Sequence, residues 1–301
     1  MRKCGIIDIG SNTIRLSVYY IDEDEKKIQL LLNRKVMAGL ASYVKDGCLT
    51  DSGVQIACAT LGSYKNLLKN LEINEYYAFA TASLRNINNT QGSVDAIQSR
   101  TGVNIDVISG EEEGRLSLKG ALCSVGCTDG MLIDLGGGST EIVPFEKGTA
   151  SSLHSLHAGS LTLYKKFVEN IFPTKTERHC IRDYYDALIC DENIPIPDVP
   201  VICGVGGSIR AAAKTLDCSK ERREASNAFT LEELEQLYKE IKNCGRDAVD
   251  LILRAVPDRL HTILPGMIAI RVIMKRANCQ KILVSRTGVR EGYLYSQVLD
   301  W

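Results

Sequence analysis

Two short stretches of the chain carry an aspartate, glycine and small polar side chains in the same order. In each, an apolar run ends in an aspartate, Asp8 or Asp134, and one apolar residue and then glycine follow. Glycine leaves backbone N–H groups uncovered, and successive N–H groups in a turn form a concave anion site. A carboxylate beside that anion can hold Mg²⁺, which takes one or two carboxylates together with phosphate oxygens. A glycine-rich hairpin turn is the structural alternative for either stretch alone, but its repetition favours a phosphate site.

The elements around each stretch are predicted to be a strand, a tight turn and a second strand. Apolar and polar residues alternate from Ile14 to Tyr20, which is typical of a half-buried strand. Met131–Val143 shows the same plan around its three consecutive glycines. The two aspartates would then occupy equivalent turns of two similar halves, and the two hairpins would face each other as a clamp for a chain of phosphates.

A third glycine-rich segment connects a buried strand to a helix. Gly204, Gly206 and Gly207 follow the apolar residues from Val201, and a helix is predicted to begin near Ser208. A strand, a glycine turn and a helix start together direct N–H groups and a positive helix end at an anion. Tight packing of the turn is the structural alternative.

Three consecutive acids begin another predicted helix. Ser109 and Glu112 have the spacing of a capping box, in which each side chain bonds the other residue's backbone N–H. This leaves Glu111 and Glu113 without a structural role from spacing. A solvated helix start is the alternative for any of these acids, because carboxylates are favourable in a first helical turn.

Six segments together carry a resemblance to a known family. DIGSN and DLGGGSTE resemble the phosphate-binding loops of the actin, sugar-kinase and heat-shock-ATPase superfamily. Within it, four more segments are similar to the exopolyphosphatase and guanosine pentaphosphate phosphohydrolase (Ppx/GppA) family. They are Ala80–Arg85 (ATASLR), Ile108–Leu116 (ISGEEEGRL), Gly204–Arg210 (GVGGSIR) and Ser285–Gly292 (SRTGVREG). The segments stand in the family's order and extend over nearly the whole chain.

The resemblance implies an α/β fold of two ribonuclease-H-like (actin-like ATPase) domains. Each would have a mixed sheet flanked by helices, with the active site in the interdomain cleft. We place the N-terminal domain at residues 1–124 and the C-terminal domain at residues 125–289, because a glycine-containing linker precedes Met131. A terminal helix at about residues 290–301 is expected to pack back on the first domain.

The resemblance also implies roles for individual residues. Glu113 looks like the family's catalytic base, and Arg85 would neutralise the terminal phosphate; an interdomain salt bridge is the alternative for Arg85. Mg²⁺ is the implied cofactor, held by Asp8, Asp134 and Glu141 directly or through water, although Glu141 could instead face solvent at a strand edge. The implied phosphate-binding residues are Ser11, Asn12, Gly137, Gly138, Ser139, Thr140, Gly206, Gly207 and Ser208.

Length, charge and cysteine content limit the number of domains and the kinds of site that the chain can form. The 301 residues exceed one typical core, and a net charge of −1 leaves attraction for phosphate to local arginines and lysines. The eleven cysteines are scattered without a CxxC pair, which argues against zinc and indicates reduced thiols. With neither a signal peptide nor an apolar run of about 18 residues, we expect a cytoplasmic protein that binds no membrane and no nucleic acid.

Three functions compete at this point. The first is a hydrolase that releases the terminal phosphate of inorganic polyphosphate or guanosine pentaphosphate (pppGpp) by Mg-assisted attack of water. The second is a small-molecule kinase of the same fold, and the third is a non-catalytic or weakly catalytic sensor of guanosine tetra- or pentaphosphate. The ISGEEEGRL and ATASLR segments favour the hydrolase, and the acids Asp8, Glu113 and Asp134 argue against the sensor. The choice of substrate, a homodimer, and roles for His154 and His157 stay open.

Two departures from the family pattern bear on the substrate. Met37 stands where family members often carry an arginine, so that affinity or chain-length preference is expected to differ. Longer relatives continue into a helical C-terminal domain, whereas this chain stops at Trp301. We therefore expect short polyphosphate or the nucleotide to be a better substrate than long polyphosphate.

Overall fold

The computed structural model describes residues 2–301, which divide into two compact units. The first unit contains the residues up to Glu112 together with Leu294–Trp301, and the second is Glu113–Tyr293. None of the helices between residues 2 and 301 combines the length and apolar composition needed to cross a bilayer.

The first unit contains a five-stranded sheet, a separate pair of short strands, and helices. Its strands are β1 (Arg2–Ile9), β2 (Ile14–Asp22), β3 (Lys27–Val36), β4 (Val44–Lys45), β5 (Cys48–Leu49), β6 (Tyr76–Ala80) and β7 (Ile105–Val107). Its helices are α1 (Asp51–Asn70), α2 (Ala82–Arg85) and α3 (Thr90–Thr101). The sheet order is β3-β2-β1-β6-β7, and β4 pairs separately with β5. Strands β1 to β3 are antiparallel, and β6 and β7 run parallel to β1.

Helix α1 covers one face of this sheet. The Thr50 hydroxyl accepts the backbone N–H of Gly53 and caps the helix. Apolar residues recur at helical spacing on one side of it, and all of them are buried: Val54, Ala57, Leu61, Tyr64 and Leu68. They pack on the inward side chains of β1, β2 and β6, which leaves the carboxyl ends of β1 and β6 at one edge of the sheet.

The second unit contains a seven-stranded sheet between helices. Its strands are β8 (Gly130–Leu135), β9 (Thr140–Glu146), β10 (Thr149–Ala150), β11 (His154–Leu156), β12 (Val201–Val205), β13 (Ala228–Thr230) and β14 (Lys281–Val284). Its helices are α4 (Gly110–Leu122), α5 (Ser160–Phe167), α6 (Lys175–Asp191), α7 (Gly206–Ser219), α8 (Leu231–Ile241), α9 (Arg246–Ala255), α10 (Ile263–Arg276) and α11 (Val289–Tyr293). The π-helical turn that follows at Leu294–Val298 belongs to the first unit. The order is β10-β9-β8-β12-β14-β13, with β11 also paired to β9.

The two sheets share one plan. In each, two antiparallel hairpin strands lie beside a strand that runs parallel to the first of them: β1, β2 and β6 in one unit, and β8, β9 and β12 in the other. The predicted fold class, two mixed sheets flanked by helices, is confirmed.

The structure divides the chain one helix earlier than the predicted boundary after residue 124. The linker-like composition before Met131 indicates a loop, and a loop is present there. Helix α4, which precedes that loop, packs through Leu118 and Ala121 on Leu132 and Val143 of the second sheet. Its apolar contacts therefore place it mainly with the second unit.

Helices α4 and α11 approach each other at glycines. A Cβ on Gly292 would overlap the carbonyl oxygen of Leu116. We expect Gly292→Ala to lower the free energy of unfolding by about 2–3 kcal/mol, because a backbone carbonyl cannot move aside. The matched control is Gly62→Ala in α1, where nothing lies within 4 Å of the added carbon and stability should rise by about 0.5–1 kcal/mol. Chemical denaturation measures both variants, and an unchanged midpoint for Gly292→Ala would contradict the close approach.

Candidate active site

The hairpin between β1 and β2 closes on a turn at residues 10–13. The N–H of Gly10 donates to the carbonyl oxygen of Thr13 over 3.0 Å. The carbonyl oxygens of Ser11 and Asn12 accept N–H groups from the segment after β3 at 3.0 and 2.9 Å. Because C=O and N–H point in opposite directions across a trans peptide, the N–H groups of Asn12 and Thr13 are directed away from that segment.

Arg85 lies at the same edge of the first sheet as this turn. It ends α2, a one-turn helix. The N–H of Thr81 and the hydroxyl of Ser83 both donate to the carbonyl oxygen of Ile9, at the end of β1. Arg85 Nη1 donates to the carbonyl oxygen of Ile108 over 3.1 Å, just after β7. The first unit therefore brings Arg85 and the first turn together.

The hairpin between β8 and β9 repeats the first one. Leu135 pairs with Thr140, so that residues 136–139 form the turn. The N–H of Gly136 donates to the carbonyl oxygen of Ser139 over 3.1 Å, as the first glycine of the other turn does. The repeat predicted from the order of residues is present in the backbone hydrogen bonds.

The carbonyl oxygens of this second turn face the start of α5. Those of Gly136 and Gly137 accept N–H groups from residues 160–162 at 2.9–3.0 Å. The carbonyl oxygen of Gly138 accepts the hydroxyl of Thr162 at 3.1 Å. The first turn of α5 is therefore held by the glycine carbonyls.

This arrangement directs three successive N–H groups to the other side of the turn. The peptides whose carbonyls face α5 carry the N–H groups of residues 137–139, which must point the opposite way. Successive N–H groups with a shared direction form an anion site. Gly159 permits it, because a Cβ there would lie 2.6 Å from the nitrogen of Gly138. The second turn therefore has the geometry of a phosphate-binding loop.

A second glycine segment meets this turn at the end of β12. Gly206 has a φ of +91°, and a Cβ on it would lie 2.6 Å from Asp134 Oδ1 and 2.6 Å from the carbonyl oxygen of Leu135. Both the positive φ and the close approach require glycine. Gly206 and Gly207 begin the 14-residue helix α7, whose positive end therefore lies beside Asp134.

Three buried acids lie on the α4 side of the second sheet. Asp134 and Glu141 pair directly across β8 and β9, so their side chains share a face, with Cβ atoms about 4.5–5.5 Å apart. A Cβ on Gly114 would lie 3.6 Å from Glu141 Cβ, which places the neighbouring Glu113 close by. Glu113, Asp134 and Glu141 are 8%, 7% and 1% exposed. A solvated helix start does not describe Glu113, and Glu141 does not face solvent.

Hydrogen bonds from serines orient the two paired acids. Ser117 lies one helical turn after Glu113, on the same side of α4, and its hydroxyl donates to Asp134 Oδ2 over 2.5 Å. The hydroxyl of Ser155 on β11 donates to Glu141 Oε1 over 2.9 Å. Both carboxylates are therefore held in place before any ligand binds.

Burial and nearby positive groups act in opposite directions on the Asp134 carboxyl. Burial raises the pKa of Asp134, whereas the hydrogen bond from Ser117 and the positive charges of Arg210 and Arg290 act in the opposite direction. A bound divalent cation would favour the charged carboxylate further. Within residues 2–301, no three His, Cys, Asp or Glu side chains are arranged as a complete metal site. Mg²⁺ needs only one or two carboxylates beside phosphate oxygens and water, so the paired acids fit it.

Two hydroxyls assigned to phosphate binding are instead bonded inside the second unit. Thr140 is fully buried and its hydroxyl donates to the carbonyl oxygen of Ala158 over 2.7 Å. Successive strand residues face opposite sides, which turns Thr140 away from the side of Glu141. The hydroxyl of Ser208 donates to Ser160 Oγ over 3.0 Å. The structure thus places both hydroxyls in bonds that hold α5 in position.

Arg259 is a site candidate that no motif in the sequence predicts. It ends a short 3₁₀ helix, Pro257–Arg259, and a Cβ on Gly207 would overlap its guanidinium. A guanidinium suits bidentate contact with phosphate oxygens. The sequence offers only an arginine shortly before an apolar helix, which is too common a pattern to single it out.

Comparison with known proteins shows the family to which the chain belongs. The model of the Ppx/GppA phosphatase family matches residues 18–300. The chain is similar to the Aquifex aeolicus Ppx/GppA family member at 24% identity and a TM-score of 0.81, over 99% of this chain and 98% of that chain. It is also similar to an exopolyphosphatase from Cytophaga hutchinsonii at 22% identity and a TM-score of 0.88, over 99% and 98% of the two chains. These likenesses establish the fold, and because the family model extends over nearly the whole sequence, the chain belongs to the Ppx/GppA phosphatase family.

Proposed function

We propose that the chain releases the terminal phosphate from inorganic polyphosphate or guanosine pentaphosphate by attack of water. The observation that carries the proposal is the second turn, where the N–H groups of residues 137–139 share one direction close to buried acids. A phosphoanhydride chain is a polyanion, and its hydrolysis needs positive groups on the phosphate and a carboxylate that orients water. Membership of a phosphatase family supports this reaction, and the similar Cytophaga hutchinsonii protein is named an exopolyphosphatase.

Backbone groups supply most of the proposed phosphate binding. In the second unit these are the N–H groups of residues 137–139 and the start of α7 at Gly206 and Gly207, and Arg259 adds a guanidinium. In the first unit the corresponding groups are the N–H groups of Asn12 and Thr13 and the side chains of Ser11 and Asn12. Backbone N–H groups recognise phosphate without recognising what it is attached to, which is consistent with two candidate substrates.

Asp134 and Glu141 of the second unit and Asp8 of the first are proposed to hold Mg²⁺, directly or through water. When bound, Mg²⁺ would neutralise charge that develops on the phosphate oxygens. The serine hydroxyls on Asp134 and Glu141 orient these carboxylates as outer-shell partners do at other metal sites.

Glu113 is proposed to be the general base. Its carboxylate accepts a proton from water as the water oxygen bonds to the terminal phosphorus and the bridging P–O bond breaks. Because Glu113 is buried, its carboxylate is not fully hydrated. Arg85 is proposed to neutralise the terminal phosphate, since a guanidinium presents two donors to its oxygens.

Phosphate release from defined substrates tests the proposal. The purified chain with Mg²⁺ is given short polyphosphate, guanosine pentaphosphate and ATP separately, and inorganic phosphate is measured with time. We expect release from polyphosphate or guanosine pentaphosphate to be at least about tenfold faster than from ATP, a difference of about 1.4 kcal/mol in transition-state binding. Release from none of them would contradict the proposal. The cytoplasmic location and a homodimer stay predictions.

A further inference from the structure

A chain of two hydroxyl hydrogen bonds connects α7 to the second turn. The hydroxyl of Ser208 donates to Ser160 Oγ over 3.0 Å, and the hydroxyl of Ser160 donates to the carbonyl oxygen of Gly136 over 3.2 Å. A carbonyl oxygen can only accept, so Ser160 must donate to Gly136 and accept from Ser208. We call these two bonds the hydroxyl chain, and their order fixes the direction of both protons.

The hydroxyl chain is enclosed by protein. Ser160 is 0% exposed and Ser208 is 5% exposed. A Cβ on Gly266 of α10 would lie 3.2 Å from Ser208 Cβ and 3.4 Å from Ser160 Cβ, so the backbone of α10 closely covers both serines. Solvent therefore has little access to either hydroxyl, and a buried hydroxyl that loses its partner is costly. Neither bond is easily exchanged for a bond to water.

The inner end of the hydroxyl chain holds one peptide group in place. The carbonyl oxygen of Gly136 accepts the hydroxyl of Ser160 and also its backbone N–H, the latter over 3.0 Å. The same peptide carries the N–H of Gly137, which points away from α5. A peptide between two glycines rotates with little steric resistance, and its rotation would turn this N–H away from the proposed phosphate site. The two bonds from Ser160 oppose that rotation.

The outer end of the hydroxyl chain lies at the start of α7. Ser208 follows Gly206 and Gly207 directly, and these three residues begin the helix. A Cβ on Gly206 would lie 2.6 Å from the carbonyl oxygen of Leu135, the last residue of β8. The two backbone segments proposed to bind phosphate are therefore neighbours, and the hydroxyl chain joins them on the α5 side.

We propose that Ser160 and Ser208 are positioning residues that set the affinity for a chain of phosphates without touching it. The hydroxyl chain keeps the N–H of Gly137 directed at the ligand, and it keeps the second turn at a fixed distance from the start of α7. A chain of linked phosphates contacts both segments at once, so its binding depends on their spacing. The proposal rests on the function proposed above, because it needs phosphate at these N–H groups.

The order of the two bonds predicts how variants of the serines differ. Ser160→Ala removes both bonds and should weaken binding of a phosphate chain about tenfold. Ser208→Ala removes only the outer bond and should weaken binding about two- to threefold; because the inner bond remains, this variant tests the proposal even where Ser160→Ala fails to fold. The double variant should match Ser160→Ala, since no bond is left for the second change to remove. Additive losses would show that the serines act separately and would overturn the proposal.

Calorimetry with a phosphate chain that cannot be hydrolysed measures these affinities. The probe is tripolyphosphate with methylene groups in place of its two bridging oxygens, added with Mg²⁺ to the full chain. Thr215→Val is the matched control, since it removes another fully buried hydroxyl of α7, which is bonded to the carbonyl oxygen of Ala211 over 2.8 Å. It should leave the affinity within about twofold, whatever its effect on the unfolding midpoint.

Kinetics separate positioning of the phosphate site from a general effect on folding. Binding lost equally from substrate and transition state raises KM and leaves kcat unchanged, so phosphate release by Ser160→Ala should show a higher KM with kcat within about twofold. Unchanged affinity of both single variants for the probe would overturn the proposal and leave the proposed function intact. Failure of the unmodified protein to bind the probe would contradict the proposed function, and this proposal with it.

Discussion

Glu113→Gln is expected to lower the rate of phosphate release by about 10²–10⁴-fold, the usual contribution of a positioned general base. Glutamine keeps the volume and the hydrogen-bonding oxygen of the side chain but cannot accept the proton of the attacking water. Glu113 is buried in the first turn of α4, beside the glycine that packs on Glu141. The loss should therefore fall on kcat, with KM changed little, because Glu113 is assigned to the water and not to the phosphate chain.

The matched control for this variant is Glu111→Gln. Glu111 lies in the same helical turn but is exposed, so the same chemical change there should leave the rate within about twofold, as surface substitutions usually do. Phosphate release at saturating substrate, with the unfolding midpoint of each variant, separates chemistry from folding. Equal losses in both variants would mean that the rate of phosphate release depends on the helix start and not on the carboxylate of Glu113.

Asp134→Asn is expected to lower phosphate release by about 10²–10³-fold, because a bound metal contributes several kcal/mol of charge stabilisation. Asp134 is held in the site by three neighbours: it pairs with Glu141, accepts from Ser117, and lies against Gly206. Asparagine preserves the shape and one oxygen acceptor, so the hydrogen bond from Ser117 can persist while the charge that Mg²⁺ requires is lost.

Binding of Mg²⁺ can be measured without turnover. Mg²⁺ should raise the unfolding temperature of the unmodified protein by an amount that grows with the logarithm of its concentration above the dissociation constant, and this increase should be absent in Asp134→Asn. Asp129→Asn, at an exposed aspartate shortly before β8, is the control and should retain both the increase and the activity. An unchanged response to Mg²⁺ in Asp134→Asn would remove Asp134 from the metal site.

The hairpins could be predicted because their order of residues is repeated in the chain. Both turns contain four residues and are closed by a bond from their first glycine to their last carbonyl. The helix faces were predictable for a similar reason, since the spacing of Val54, Ala57 and Leu61 is visible in the sequence. Local order and period are properties that a sequence shows directly.

The direction of a polar side chain was harder to predict. Thr140 and Ser208 are hydroxyls beside glycines, and proximity in sequence suggested contact with phosphate. Thr140 is adjacent to Glu141 on a strand, so the two must face opposite sides of the sheet; that alternation was available in the sequence. The partner of Ser208, Ser160, depends on how α5 and α7 pack, which no local pattern contains.

Contacts between distant segments account for the rest. Arg259 reaches Gly207 from a short helix. This pair belongs to no motif, because its contact depends on the path of the chain and not on spacing. The hydrogen bonds between the glycine carbonyls and the start of α5 also join distant segments. The glycines predict a turn, but only the packing of α5 shows which way their N–H groups point.

The most direct test of the hydrolase proposal is the source of the oxygen in the released phosphate. The reaction is run with Mg²⁺ in water enriched in the heavy isotope of oxygen, with short polyphosphate or guanosine pentaphosphate, and the phosphate is analysed by mass spectrometry. The proposal predicts one heavy oxygen atom in each phosphate released by the unmodified protein, and a rate lower by orders of magnitude in Glu113→Gln. Phosphate that appears only on an added small-molecule acceptor, or tight binding of the nucleotide with no release in either protein, would contradict it.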